Sequence, residues 1–134
     1  MNMYRVAVIT LSDKGARGER EDVSGQVIED MVKEAGYKVV SRQLLSDDRQ
    51  GLTDALISLC DSNTAELILT TGGTGFSPRD NAPEATLAAC ERMAPGIAEA
   101  MRMASLQITP RAMLSRAVSG IRKKTLIVNL PGSP

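Results

Sequence analysis

The chain has 134 residues, 16 basic and 16 acidic side chains, no His and no Trp, which fits one domain of the size that buries roughly two thirds of its unfolded surface. With 43% hydrophobic but only 2% aromatic residues, its core must be aliphatic and rich in Ala and Met. The missing His excludes Ser-His-Asp and Cys-His catalysis and any imidazole metal ligand, and zero net charge with a single Phe argues against an RNA-stacking module or a basic DNA-binding surface.

In chain order, Val6 to Leu11 is a continuous apolar run of strand length, the pattern of a strand buried on both faces. It is too short for a secretory segment or a membrane span, so a reducing cytoplasm and no membrane are expected. A polar, Gly-containing stretch, Ser12 to Glu21, follows. Val23, Val27, Ile28, Met31 and Ala35 fall at helical spacing, with Gly36 as the stop. Tyr37 to Leu45 reads as a second strand. Leu52, Ala55, Leu56, Leu59 and Cys60 form the stripe of an amphipathic helix, and Asp47 or Asp48 is placed to cap it.

Leu67 to Thr70 reads as a third strand, running into Thr71-Gly72-Gly73-Thr74-Gly75. A helix opens near Pro83, where Asn81 and Glu84 have the spacing of a capping box. Ile97, Met101, Ala104 and Ile108 mark another helix, closed before Pro110. Ala117 to Lys124 reads as an edge strand and turn, and Thr125 to Leu130 as a last buried strand. Cys60 and Cys90 stand apart, with no Cys-x-x-Cys pairing, and read as buried structural thiols. Alternating strands and helices imply a three-layer α/β/α sandwich with a mostly parallel sheet. The last strand and its Pro-Gly turn end at Pro134, where a covering helix is expected to follow in a longer chain.

In open α/β sheets ligands sit beyond the carboxyl ends of the strands. Four loops qualify: Ser12 to Glu21, Ser46 to Gln50, Thr71 to Ala82, and Pro131 to Pro134. In the third, Gly72, Gly73 and Gly75 allow close backbone approach, Thr70, Thr71 and Thr74 add hydroxyls, Arg79 adds a positive fork suited to phosphate, and Asp80 adds a carboxylate suited to Mg²⁺. No Walker A string occurs, and Pro78 stands where a dinucleotide fingerprint needs its third Gly. The loop therefore reads either as an anion site with magnesium or as a tight turn needing positive φ. Asp80 alternatively serves the N-terminus of the next helix. Arg102, Arg111 and Arg116, taken singly, read as solvated charges, and Ser105 as a residue bonding back to the preceding helical turn.

The strings Leu69-Thr70-Thr71-Gly72-Gly73-Thr74-Gly75, Ser77-Pro78-Arg79-Asp80 and Pro83-Glu84-Ala85-Thr86 resemble the signature of the molybdopterin adenylyltransferases. This is the MogA/MoaB group, related to the amino-terminal domain of gephyrin. The likeness runs from Val8 to Asp13, with its Thr10-x-Ser12-Asp13, through Leu45-Ser46-Asp47-Asp48, Pro95-Gly96, Ser105-Leu106, Ile108-Thr109-Pro110 and Met113-Leu114-Ser115-Arg116 to Asn129-Leu130-Pro131-Gly132-Ser133-Pro134. It implies a molybdopterin-binding-like fold, assembled as a trimer or hexamer, that moves AMP from ATP to the terminal phosphate of molybdopterin. The product then passes to a molybdenum-insertion protein. By position, Asp80 and Asp47 match the catalytic and magnesium-holding carboxylates. Ser12, Thr71, Gly72, Gly73, Thr74, Gly75 and Arg79, with Pro131, Gly132 and Ser133, match nucleotide and phosphate contacts, and Ser105 matches a pterin contact. Asn81-Ala82 replaces the family's usual Val-Thr, with Asn81 expected to supply the helix cap one position earlier. A non-catalytic molybdopterin-binding scaffold of the same family is the alternative, and the retained Asp47 and Asp80 favour the enzyme.

Overall fold

The structure is a computed structural model that describes residues 3–19 and 21–131. A six-stranded sheet carries the fold, in the order β2-β1-β3-β6-β5-β4. Strands β1 (Arg5–Leu11), β2 (Lys38–Leu45), β3 (Leu67–Thr71) and β6 (Thr125–Leu130) are parallel, while β5 (Ser119–Arg122) and β4 (Arg92–Met93) run antiparallel to their neighbours. The helices are α1 (Asp13–Ala16), α2 (Val23–Glu34), α3 (Arg49–Asp61), α4 (Ala82–Ala89) and α5 (Pro95–Leu106), with a 3-10 turn at Pro110–Leu114.

The alternation of β1 builds both cores. Ala7, Ile9 and Leu11 face Leu52, Leu56 and Leu59 of α3 and Ala82, Ala85 and Ala89 of α4. Val6 and Val8 face Val32 and Ile28 of α2. A central strand covered by helices on both faces has no polar side to show, which is why its sequence is an unbroken apolar run. Cys60 is buried in the first core and Cys90 packs against it, and burial pushes both thiols up, Cys90 to about 11. Neither is a thiolate at neutral pH, as the structural assignment expects.

Polar atoms in the middle of the sheet are fully paired. Asn129, wholly buried, donates from Nδ2 to Thr70 Oγ1 and Thr86 Oγ1, both at 2.9 Å, and its Oδ1 accepts from the Val118 amide at 3.1 Å. The register places Thr70 opposite Asn129 on β3 and β6. Two expectations need correction here. The segment before β6 is not an edge: β5 lies between β6 and the two-residue β4, which takes the edge position. Its turn is made by Lys123, with φ +52°, and Lys124, residues that carry no turn signature. The helix containing Met101 ends at Leu106, leaving Ile108 outside it and 88% exposed.

Candidate active site

The carboxyl ends of β1, β2, β3 and β6 lie in register, with Thr10 opposite both Leu44 and Thr71, and Thr71 opposite Leu130. The loops that leave them are stitched together: Ser12 N–H donates to Leu45 O at 2.9 Å and Gly72 N–H to Leu130 O at 3.2 Å. Thr71 to Gly75 crosses the middle of this edge. Gly72 has φ +92° and Gly73 φ +71°, and a Cβ on Gly72 would come within 2.6 Å of the Leu11 carbonyl oxygen. The turn reading of this loop holds, since it needs left-handed backbone, and the same glycines leave bare backbone at a cavity wall. Gly75 has a different reason, since a Cβ there would lie 2.8 Å from Asp80 Oδ2. Its missing side chain makes room for that carboxylate, which accepts from the Ser77 amide at 2.9 Å.

Two cavities open on the two halves of this loop. The first, about 540 Å³, is lined by Thr71, Gly72 and Gly73 with Ser12, Asp47 and Asp80. Glu21 and Asp22 complete four carboxylates among its described lining residues, which include no Lys or Arg. The second, about 720 Å³, is lined by Thr74, Gly75, Ser105 and Pro131. Its described lining carries Arg102 and Arg111 and no carboxylate, and Met101, Ile108 and Leu114 make much of it apolar.

At the first cavity, α1 and the β2–α3 loop are locked by a reciprocal exchange. The Asp13 amide donates to Asp47 Oδ2 at 3.2 Å, and the Asp47 amide to Asp13 Oδ1 at 2.9 Å. Burial pushes the Asp47 carboxyl up; the Asp13 amide opposes this, and the charges of Asp13 and Asp80 push further the same way. Asp13 is pulled down to about 2, first by the Arg79 guanidinium and then by the Asp47 amide. Arg79 spends its fork on Asp13, at 3.0 and 2.8 Å, so it meets a carboxylate rather than standing open for phosphate. Ser12 caps α1, its Oγ accepting from Gly15 N–H at 3.0 Å. Asp48 caps α3 through the Gly51 amide at 2.9 Å, which leaves Asp47 for the cavity.

The donor set suits a hard divalent cation. It offers carboxylate oxygens from two loops, and at one of them, Asp47, burial and the nearby negative charges of Asp13 and Asp80 disfavour the charged form, a cost that a bound cation would relieve. Among the described residues no group of three His, Cys, Asp or Glu forms a self-sufficient metal cage. Octahedral Mg²⁺ needs none, because it takes one or two carboxylates and completes its shell with water and substrate phosphate.

Several side chains behave differently from their sequence reading. The Thr70 hydroxyl lies buried against Asn129, and the Thr71 hydroxyl donates to Pro131 O at 2.8 Å, so the loop's contribution is chiefly backbone. Asn81 begins α4 without a side-chain cap; its Nδ2 turns to the Pro78 carbonyl at 3.4 Å. Glu84 cannot close a capping box because Arg116 Nη1 holds it at 2.7 Å. Arg116 is no solvated charge: it also donates to Gly75 O and Asp80 O. Arg102 likewise donates to Ala117 O at 2.7 Å in the wall of the second cavity. Asp13 and Asp22 went unassigned in the sequence reading and Arg116 was given no site role there, although Asp13 and Arg116 both stand in the quoted strings. Gly132 and Ser133 lie outside the described residues.

Residues 7–134 match the family model described as a probable molybdopterin binding domain. The chain is 41% identical over 136 residues to the molybdopterin adenylyltransferase of Helicobacter pylori strain J99, covering all of this chain and 77% of that protein. It is 39% identical over 137 residues to the molybdopterin adenylyltransferase of Escherichia coli K12, covering all of this chain and 70% of that one. Among solved structures, the molybdopterin biosynthesis enzyme MoaB from Thermus thermophilus superposes with a TM-score of 0.92 at 45% identity. That match covers 98% of this chain and 83% of the other.

Proposed function

The chain belongs to the family of molybdopterin-binding domains that serve molybdenum cofactor biosynthesis, and on that premise we propose that it is a Mg²⁺-dependent molybdopterin adenylyltransferase. The reaction is transfer of AMP from ATP to the terminal phosphate of molybdopterin. A phosphate oxygen of the pterin attacks the α-phosphorus, the bond to the β-phosphate oxygen breaks, and pyrophosphate leaves. The attacking phosphate is already ionised, so a chain without His lacks nothing that the step requires.

One observation carries this reading: two unlike cavities meet at a single glycine loop, as a reaction joining two anionic substrates demands. The acid-lined cavity repels a bare triphosphate but accepts one that arrives with a cation, held by Asp80 and Asp47. Bound there, Mg²⁺ supplies charge neutralisation for the triphosphate and the departing pyrophosphate. The second cavity, with Arg102, Arg111, Ser105 and apolar walls, suits a flat heterocycle ending in phosphate. The Thr71–Gly75 backbone holds the two reacting groups in line, and positioning with electrostatic stabilisation does most of the catalysis in phosphoryl-type transfers. Ser12 shapes the near wall of the nucleotide cavity, and Pro131 part of the wall of the second.

The test is incubation with molybdopterin, ATP and Mg²⁺ and assay for adenylylated pterin and pyrophosphate. Stoichiometric appearance of both is expected. Pterin binding without either product would overturn the catalytic reading in favour of a scaffold. The protein acts in the cytoplasm as a trimer, and a downstream molybdenum-insertion protein takes the product. Exposed Met103, Met113, Leu106 and Ile108 on and just after α5 supply apolar surface for the subunit contact. A monomeric mass in solution would remove that part.

A further inference from the structure

Arg116 reaches three separate pieces of the site. Its Nε donates to Gly75 O at 2.7 Å, its Nη2 to Asp80 O at 2.6 Å, and its Nη1 to Glu84 Oε2 at 2.7 Å. Its own amide donates to Thr74 O at 2.9 Å. Thr74 and Gly75 line the second cavity, and Asp80 lines the first. One half-buried guanidinium thus ties together the backbone of both cavities, and Glu84 in the first turn of α4 anchors its charge. A planar fork with fixed donor directions imposes distances as well as attraction, which an ammonium on a flexible stem does not.

We propose that Arg116 is a positioning residue that sets the separation of the two cavities, and so the distance between the two reacting phosphates. This rests on the adenylyl-transfer reading. Arg116 itself faces backbone carbonyls and Glu84 in this structure. It acts by fixing where the Gly75 and Asp80 backbones stand relative to each other, and ligand binding within either cavity alone does not need that relation. Losing it therefore costs turnover more than affinity.

The experiment compares the full chain with Arg116→Lys in three measurements. For Arg116→Lys, kcat should fall about 10- to 100-fold, the scale of an ångström-sized misplacement of reacting groups. Dissociation constants for Mg²⁺-ATP and for molybdopterin, measured separately, should stay within about threefold. Amide hydrogen exchange should quicken about tenfold at Ser77 and Asp80, while amides of β1 and β6 keep their rates, because the change is a local opening. Equal acceleration across the sheet would mark a general structural role and overturn the inference, as would unchanged kcat or unchanged exchange at Ser77 and Asp80. If the parent chain forms no product, the reaction reading fails and takes the inference with it. If the parent is active and Arg116→Lys matches it, the inference fails alone. Should Arg116→Lys not fold, Glu84→Gln keeps the fork and loses only its charged anchor. It is expected to shift kcat and local exchange in the same directions by a smaller factor, and an unchanged kcat there would count against the inference.

Discussion

The two cavities share a five-residue loop and differ in almost everything else. One is walled by carboxylates and capped helix starts; the other by arginines, methionine and leucine. On the adenylyl-transfer reading, the difference lets one short loop serve two anionic ligands without making a single positive sink that would bind both indiscriminately: one anion would enter with a cation of its own, the other would meet fixed guanidinium charge and apolar contact.

The sharpest way to break the comparison is Asp80→Asn. It removes a carboxylate from the first cavity and leaves the second untouched, so turnover should fall about 100- to 1,000-fold, the loss typical of one removed electrostatic stabiliser, while pterin affinity persists. Unchanged turnover by pyrophosphate release would falsify the metal role. Chelation of divalent cations sharpens the same contrast. ATP affinity should drop about tenfold or more, as when metal support is weakened, with pterin affinity steady by titration calorimetry. Parallel loss of both affinities would mean that the cavities are not chemically distinct.

Gly72→Ala attacks the shared wall. Left-handed backbone at a residue with a side chain costs about 1–3 kcal/mol, and the Leu11 carbonyl leaves no space for the new methyl. The urea midpoint should fall accordingly, and an unshifted midpoint would show that the loop yields freely. The smallest effect concerns the mouth of the first cavity, where Arg42 Nη2 meets Asp22 at 2.9 Å and Nη1 meets Glu29 at 2.9 Å. Burial lifts Asp22, but Arg42, the Gly25 amide and the Thr10 hydroxyl together bring it below its ordinary 3.8; Arg42 chiefly holds Glu29 below its ordinary 4.5. Carboxyls lowered in the fold lend stability that is full above those ordinary values and is lost as pH falls through the lower folded ones. The stability deficit of Arg42→Ala should therefore be constant near neutrality and shrink below about pH 4. A deficit that does not change with pH would remove Arg42 as the cause.

Much of this was legible in sequence because it is local or periodic. The apolar run of β1, the stripe of α3 and the glycine turn each carry their own signal. The four-residue α1 carries none, being too short for a period. The Asp13–Asp47 exchange spans 34 positions, and the Arg116 bonds to Glu84, Asp80 and Gly75 span 32, 36 and 41. Pattern reading sees neither, since each residue by itself is an ordinary surface charge. The capping box failed for the same reason: Asn81 and Glu84 have the right spacing, but a distant arginine competes for the glutamate and wins.

Asn129 has a consequence for strand alignment. Sliding β6 by one residue against β3 would set Val128 or Leu130 before the hydroxyls of Thr70 and Thr86 and strand both in dry surroundings. The amide thus works as a proofreading mark at the centre of the sheet, penalising a misthreaded strand.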